Sequence, residues 1–193
     1  MSGGSEIIMA RLKEKYQTEA LPKLKEEFGI KNDLAAPRIK KVVLNVGVGE
    51  AKDNAQVLEK VKENLQALSG QRPVVVKAKK SIAGFKLGKG QPIGMMVTLR
   101  DDRMYEFLDK FMNIVLPKVR DFRGVSDTSF DKQGNFTIGL KEQAIFPEVV
   151  FQSGQSAMRA KGLEISIVTG AKNKEQGKRL LDLLGMPFKK ESN

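Results

Sequence analysis

The sequence predicts an α+β domain of two layers, with helices on one face of a largely antiparallel sheet and a long basic loop. Segments of strictly alternating apolar residues, typical of half-exposed strands, are separated by segments with apolar residues every three or four positions, typical of amphipathic helices. The 193 residues show no internal repeat and no break in composition. We therefore expect a single domain over residues 7–190, preceded by a flexible N-terminus at residues 1–6.

Helix-type and strand-type spacings of apolar residues follow one another through the first part of the chain. Residues 12–28 carry apolar side chains at four-residue spacing and predict a helix that Pro22 interrupts. Residues 39–48 predict a strand, because one side consists of Val42, Leu44, Val46 and Val48. Asp53 is expected to cap a second helix that ends near Gly70 and has an apolar stripe formed by Val57, Leu58, Val61, Leu65 and Leu68.

The remainder of the chain gives the same kinds of signal. Each expected strand is bounded by Gly, Pro or Asp, and each expected helix begins at a capping side chain. The elements predicted in order are strands at 73–77 and 93–100, a helix from Asp101 to Pro117, strands at 136–140 and 163–167, and a helix from Asn173 to Gly185.

Composition excludes several classes of enzyme. The chain has no Cys, no His and no Trp, so it offers neither a thiol nucleophile nor an imidazole base or zinc ligand. We expect no catalytic residues, no metal site and no cofactor. The net charge of +11 and the isoelectric point of about 9.8 favour a polyanionic partner such as a nucleic acid.

The positive charge is concentrated in one stretch. From Asn64 through Arg100 there is no Asp or Glu, while the basic residues are Arg72, Lys77, Lys79, Lys80, Lys86, Lys89 and Arg100. The loop at 77–90 is the densest part, and its three glycines give it conformational freedom. Its lysines are suited to phosphates, and Phe85 to packing on a base or ribose. A solvated hairpin loop with Phe85 folded onto the core is the alternative.

Two glycine motifs resemble nucleotide-binding loops. Gly47 and Gly49 follow a strand and precede a helix, as in a dinucleotide site, but Lys52 stands where the third glycine is needed. The segment from Gly84 to Lys89 has one residue too few between its glycines for a phosphate-binding loop, and no Ser or Thr follows the lysine. A nucleotide-dependent enzyme using the Gly47–Gly49 turn is therefore the weaker alternative.

The outward sides of two predicted strands carry polar and basic residues. Lys41 and Asn45 share the non-apolar side of the first strand, and Thr98 and Arg100 share that side of another. An open sheet face with these side chains would recognise RNA through phosphate, ribose and shape. The solvent side of an ordinary antiparallel sheet has a similar pattern.

Several blocks of the chain, in order and over about residues 8–190, resemble the bacterial-type large-subunit ribosomal protein L5 family. The blocks are Val43–Glu50, Lys80–Lys86, Pro92–Gly94 with Val97–Arg100, Asp121–Ser126, Ser129–Phe136, Gly139–Glu148 and Leu184–Phe188. The resemblance implies a non-enzymatic protein of the cytoplasmic ribosome. It implies binding to 5S ribosomal RNA in the central protuberance, contact with the elbow of P-site transfer RNA, and a bridge to a protein of the small-subunit head.

The resemblance also assigns residues. Asn45, Gln71 and Thr98 match polar positions that the family sets against 5S RNA, and two basic candidates lie near them in the sequence, Lys41 near Asn45 and Arg100 near Thr98. The tRNA-contacting loop corresponds to 77–90, with Lys77, Lys79, Lys80, Ser81, Phe85, Lys86 and Lys89 as its candidate residues. Further expected partners are 23S-type ribosomal RNA and neighbouring proteins of the central protuberance.

A membrane-surface protein is a third class to weigh. No helix pairs a Lys-rich face with an aromatic-rich one, and no apolar run reaches 18 residues. The polar N-terminus predicts no signal peptide. We therefore expect no membrane partner.

Overall fold

The computed structural model describes residues 10–52, 55–120, 122–153 and 161–189. The expected flexible segment 1–6 and the expected cap at Asp53 lie outside these ranges. The described helices are α1 (Arg11–Lys15), α2 (Leu21–Phe28), α3 (Ala55–Ser69), α4 (Asp101–Lys110), α5 (Pro147–Ser153) and α6 (Lys174–Leu184). The described strands are β1 (Ile39–Gly47), β2 (Val74–Lys77), β3 (Pro92–Leu99), β4 (Phe136–Leu140) and β5 (Leu163–Thr169).

The five strands form one sheet in the order β2-β3-β1-β5-β4, and every neighbouring pair is antiparallel. This confirms the predicted α+β class. The central strand β1 sets the register, with Val42 opposite Leu99 of β3 and Ile167 of β5. Because side chains alternate between the faces of a strand, this register places the apolar positions of the three central strands on one side.

Helices cover the apolar side of the sheet. The sheet contributes Val42, Leu44, Val46, Met95, Val97, Leu99, Leu163, Ile165 and Ile167 to the core, all almost fully buried. The helices contribute stripes at the predicted spacing, among them Leu65 and Leu68 of α3, Leu108 of α4, and Leu180, Leu181 and Leu184 of α6. Each fully buried aliphatic side chain stabilises the fold by about 1.5–3 kcal/mol, so these layers supply most of the driving force.

The predicted interruption near Pro22 is present as a change of helical type. A π-helical turn, Tyr16–Ala20, joins α1 to α2, and Pro22 lies in the first turn of α2. Proline has no N–H to donate to the preceding turn, so the regular hydrogen-bond ladder cannot continue through it. No helix in the described part of the chain is long and apolar enough to span a membrane.

The start of α4 differs from the prediction. Asp101 is the first helical residue rather than the cap, and its φ of 51° lies in the left-handed region. Arg100 occupies the cap position without a side-chain capping hydrogen bond. Asp tolerates this backbone conformation better than most residues, which lets the chain turn sharply from β3 into α4. Its carboxylate still favours the positive end of the helix.

The last helix begins as predicted. The Asn173 side chain accepts a hydrogen bond from the Gln176 N–H at 2.9 Å, while Gln176 Oε1 accepts one from the Lys172 N–H at 3.0 Å. This helix packs directly on the turn before β4, because Gly177 has no side chain. A Cβ at Gly177 would lie 2.3 Å from the carbonyl oxygen of Gly134.

We predict that Gly177→Ala lowers the free energy of unfolding by about 1–3 kcal/mol, because the added methyl group meets a backbone oxygen that cannot move freely. Urea denaturation monitored by circular dichroism measures this change. Gly139→Ala is the matched control, since a Cβ there has no atom within 4 Å. Equal stability of the Gly177 variant and the parent would contradict the close packing.

A second contact joins the two ends of the chain across the helical layer. Arg179 donates from Nε to Glu27 Oε2 at 2.7 Å and from Nη2 to Glu27 Oε1 at 2.5 Å, which is a bidentate pair. These hydrogen bonds hold the pKa of Glu27 below its ordinary value of 4.5. A lowered pKa means that the pair stabilises the fold above pH 4.5 and that this stabilisation is lost as pH falls through the folded-state pKa.

We therefore predict that Glu27→Gln is less stable than the parent at pH 7 and that the difference shrinks towards pH 3. Urea midpoints of both proteins at the two pH values test this, with Glu26→Gln as a neighbouring exposed control. A gap of the same size at both pH values would show that the carboxylate charge is not the stabilising feature.

Candidate nucleic-acid interface

The face of the sheet opposite the helices is lined by polar, basic and apolar side chains that remain wholly or partly exposed. Its members are Lys41, Val43, Asn45, Gly47, Val74, Val76, Met96, Thr98, Thr137, Gly139, Glu164, Ser166 and Val168. We call these residues the open face. Val74 is 64% exposed and Met96 is 37% exposed although both are apolar, so this face presents apolar as well as polar surface.

The register places the predicted RNA-binding residues together. Thr98 is opposite Val43, and Asn45 is opposite Met96, so Asn45 and Thr98 lie on adjacent strands two residues apart in register. Val42 is paired with Leu99. Lys41, the residue before Val42, therefore lies level with Arg100 at the end of the same two strands. Four of the five predicted residues thus belong to the β1–β3 half of the sheet.

Gln71 reaches this cluster from the end of α3. Gly70, with a φ of 64°, turns the chain away from the helix in the left-handed conformation that helix ends favour. The Gln71 side chain then donates from Nε2 to the Thr98 carbonyl at 3.2 Å, which leaves its Oε1 available as an acceptor. A groove of about 750 Å³ is lined by Gln71, Thr98, Arg100, Asp101, Asp102 and Arg103.

A basic rim at the same end of the sheet was not predicted from the sequence. Arg38, Lys40 and Arg100 line a groove of about 460 Å³ together with Tyr105. Burial raises the pKa of Tyr105 to about 12, so its hydroxyl stays protonated and able to donate. The sequence offered one signal for this rim, the cluster of three cations from Arg38 to Lys41 at the start of β1.

The other half of the open face was also missed. Glu164 is directly opposite Asn45, and Ser166 is opposite both Val43 and Thr137. The Ser166 hydroxyl lies 3.0 Å from Thr137 Oγ1 and donates to Glu164 Oε1 at 3.4 Å. The alternation of Leu163, Ile165 and Ile167 is the sequence signal that could have placed Glu164 and Ser166 on the outer side of the strand.

Two glycines leave the open face unusually bare. An added Cβ at Gly47 or at Gly139 would have no atom within 4 Å. Neither residue has a positive φ, so neither close packing nor backbone conformation within the described chain requires glycine there. A glycine with free space above it permits close approach of another molecule to the backbone.

The basic loop 77–90 extends the β2–β3 hairpin and is more ordered than its sequence suggested. Backbone hydrogen bonds close it in steps, from the Ala78 N–H to the Gln91 carbonyl at 2.9 Å and from the Ile82 N–H to the Leu87 carbonyl at 2.8 Å. Ser81 Oγ accepts from the Lys89 N–H at 3.0 Å, so this candidate residue has a structural contact. Phe85 is 73% exposed and is not folded onto the core.

The predicted lysines of the loop lie on this projection. Lys77, Lys79, Lys80, Lys86 and Lys89 are all exposed. Within the described ranges, none of them forms an ion pair, and neither do Lys41 and Arg100 of the sheet cluster. Cations without internal partners are available to phosphates.

The Gly47–Gly49 turn does not form a dinucleotide site. Such sites follow a parallel strand and precede a helix whose N-terminus binds the pyrophosphate. Here β1 is antiparallel to both neighbours, and the turn leads into the short 3₁₀ helix Gly49–Lys52. In the described part of the chain, no three carboxylates come together as a metal site.

Comparisons with known proteins show the family of this chain. The family model described as "Ribosomal protein L5" matches residues 32–87, and the model of the C-terminus of the same ribosomal family matches residues 92–188. A large ribosomal subunit protein uL5 from Caldanaerobacter subterraneus subsp. tengcongensis is 54% identical over 94% of this chain and all of that protein. Proteins of the same name from Desulfatibacillum aliphaticivorans and Trichlorobacter lovleyi are each 55% identical over 94% of this chain, covering all and 99% of their own lengths.

This similarity spans both halves of the chain and exceeds what a shared fold alone would produce. It excludes the enzyme alternative based on the Gly47–Gly49 turn, because the matched family is structural. The chain therefore belongs to the ribosomal protein L5 family and is a structural, non-enzymatic constituent of the large subunit of the cytoplasmic ribosome.

Proposed function

We propose that this protein binds 5S ribosomal RNA on the open face and helps to attach that RNA in the central protuberance of the large subunit. The observation that carries the proposal is that Lys41, Asn45, Gln71, Thr98 and Arg100, which come from separate parts of the sequence, lie on or beside the β1–β3 half of this face. They combine cations that form no ion pair within the described ranges with amide and hydroxyl groups for bases and riboses.

The remaining chemistry of the open face suits folded RNA better than a small molecule. A sheet face with exposed Val74 and Met96 offers surfaces on which bases and riboses can pack. The grooves at its end are wide and open, whereas sites for small molecules are concave and enclose most of the ligand. The family's place in the large subunit supplies an RNA-rich environment.

The loop 77–90 is proposed to contact P-site transfer RNA. It continues the β2–β3 hairpin past the ends of these strands, it contains no acid, and its lysines are exposed. A projection of this kind reaches a second RNA while the open face holds the first. Contacts with 23S-type ribosomal RNA, with neighbouring proteins of the central protuberance and with a small-subunit head protein complete the proposed set of partners, on the strength of the family resemblance.

The first prediction from this function concerns the loop. Lys79→Ala combined with Lys80→Ala should leave the melting temperature nearly unchanged, because exposed charges contribute little to folding. The same variant should weaken the binding of P-site tRNA to reconstituted ribosomes and flatten its salt dependence by about one unit for each phosphate that the loop no longer neutralises. Filter-binding assays at several salt concentrations measure both effects.

A matched control replaces two exposed lysines of the helical layer, Lys23 and Lys60, by alanine. This variant has the same net charge as the loop variant, so a general electrostatic effect would change both equally. A large fall in the melting temperature of the loop variant, or identical tRNA binding by the two variants, would contradict the assignment of the loop.

The second prediction separates the hydrogen bonds that recognise the RNA from the charges that attract it to the open face. Asn45→Ala or Thr98→Ala should each weaken 5S RNA binding by about 1–3 kcal/mol, since each leaves a partner group unsatisfied. The slope of log affinity against log salt should not change, because a neutral hydrogen bond releases no counterion. Lys41→Ala should instead flatten that slope by about one unit.

Titration of 5S RNA with each folded variant at several salt concentrations distinguishes these effects, with an unrelated RNA of similar length as the specificity control. Lys60→Ala, on the helical layer, controls for the loss of one charge. If Asn45→Ala binds as tightly as the parent, the RNA must dock on another surface of the protein.

A further inference from the structure

A single carboxylate lies on the open face among the described strands, and its position is unexpected for an RNA-binding surface. Glu164 is exposed on β5, directly opposite Asn45 of β1. Within the described residues it forms no ion pair, and its one hydrogen-bond partner is the Ser166 hydroxyl. A negative charge repels phosphate, so it weakens binding unless it meets hydrogen-bond donors of the RNA.

We infer that Asn45 and Glu164 together recognise the Watson–Crick edge of one unpaired guanine, an assignment that rests on the proposed binding of 5S RNA. That edge presents two adjacent donors, N1–H and the N2 amino group, beside the O6 acceptor. A carboxylate can accept from both donors, and an amide NH₂ can donate to O6. Directly opposed residues of antiparallel strands have Cβ atoms about 4.5–5.5 Å apart, which suits two side chains that share one base edge.

The neighbours of this pair support a base at this position. Gly139 is opposite Glu164 on β4, and the space where its Cβ would lie is empty. On the other side of Asn45, Met96 and Val74 continue the same row across the sheet as exposed apolar side chains. A base can therefore lie across the row with its polar edge at the pair and its aromatic face over apolar side chains.

The same geometry discriminates against the other bases. Adenine places its N1 acceptor towards the carboxylate, which is repulsive, and its amino group where the guanine O6 would be. Cytosine and uracil each present at most one donor group to Glu164. The Thr137–Ser166–Glu164 hydrogen bonds restrain the carboxylate, so little side-chain freedom is lost on binding.

Glu164→Gln tests the assignment, because it keeps the size of the side chain and replaces one acceptor by a donor. We expect 5S RNA affinity to fall about 5- to 150-fold, the range for loss of a bidentate base contact, without a change in salt slope. Kethoxal reacts with N1 and N2 of unpaired guanines, so the parent complex should protect one guanine that the saturated variant complex leaves reactive. Glu63→Gln, an exposed carboxylate of α3, should retain that protection.

Inosine lacks the N2 amino group of guanine, so an inosine substitution in the RNA gives a second, independent test. When the protected guanine is replaced by inosine, the parent should lose affinity, and Glu164→Gln should add little further loss. An affinity of Glu164→Gln equal to or above that of the parent, or an unchanged protection pattern, overturns the guanine assignment alone. Failure of the parent protein itself to bind 5S RNA overturns the proposed function and this inference with it.

Discussion

Burial of only one face of the sheet is the constraint on which the rest of the structure depends. Five antiparallel strands place their apolar positions beneath the helices, and alternation along each strand then assigns the intervening residues to the opposite face. A shift of one residue in register would exchange the two sets and expose the core. The stability of the fold therefore fixes which side chains stand on the open face, and Asn45, Thr98 and Glu164 are held there by residues that contact no partner.

The charges of the described chain differ in whether they have a partner within the protein. Several cations are paired within the helical layer, as in the Arg179–Glu27 pair and the Lys110–Glu148 pair, whose atoms lie 2.7 Å apart. The loop 77–90 and the β1–β3 end of the sheet have cations without such partners in the described ranges. In the proposed function, these cations steer a polyanion to the open face before any specific contact forms.

The spacing of apolar residues and the positions of Gly, Pro and capping residues were sufficient to predict most of the fold, and the exceptions have physical causes. The cap at Asn173 follows from local chemistry, so it could be read from the sequence. The left-handed Asp101 could not, because the direction in which α4 must leave β3 is set by tertiary packing. Strand order likewise depends on long-range pairing, and without it Glu164 could be assigned to a face but not placed beside Asn45. The hydrogen bond from Gln71 to Thr98 joins residues 27 apart and is equally invisible in the sequence.

Under the proposed function, the two halves of the open face have different tasks in RNA recognition. Cations attract any polyanion, and the energy they supply depends on salt and hardly on sequence. A carboxylate weakens that attraction for every RNA and offsets the loss only where two hydrogen-bond donors of the RNA meet it. Its net effect is therefore to discriminate between RNAs. Specificity of this kind requires that the discriminating group be close to, but not neutralised by, the attracting ones. The register meets this condition, since Glu164 is opposite a neutral amide while Lys41 lies four residues away along β1.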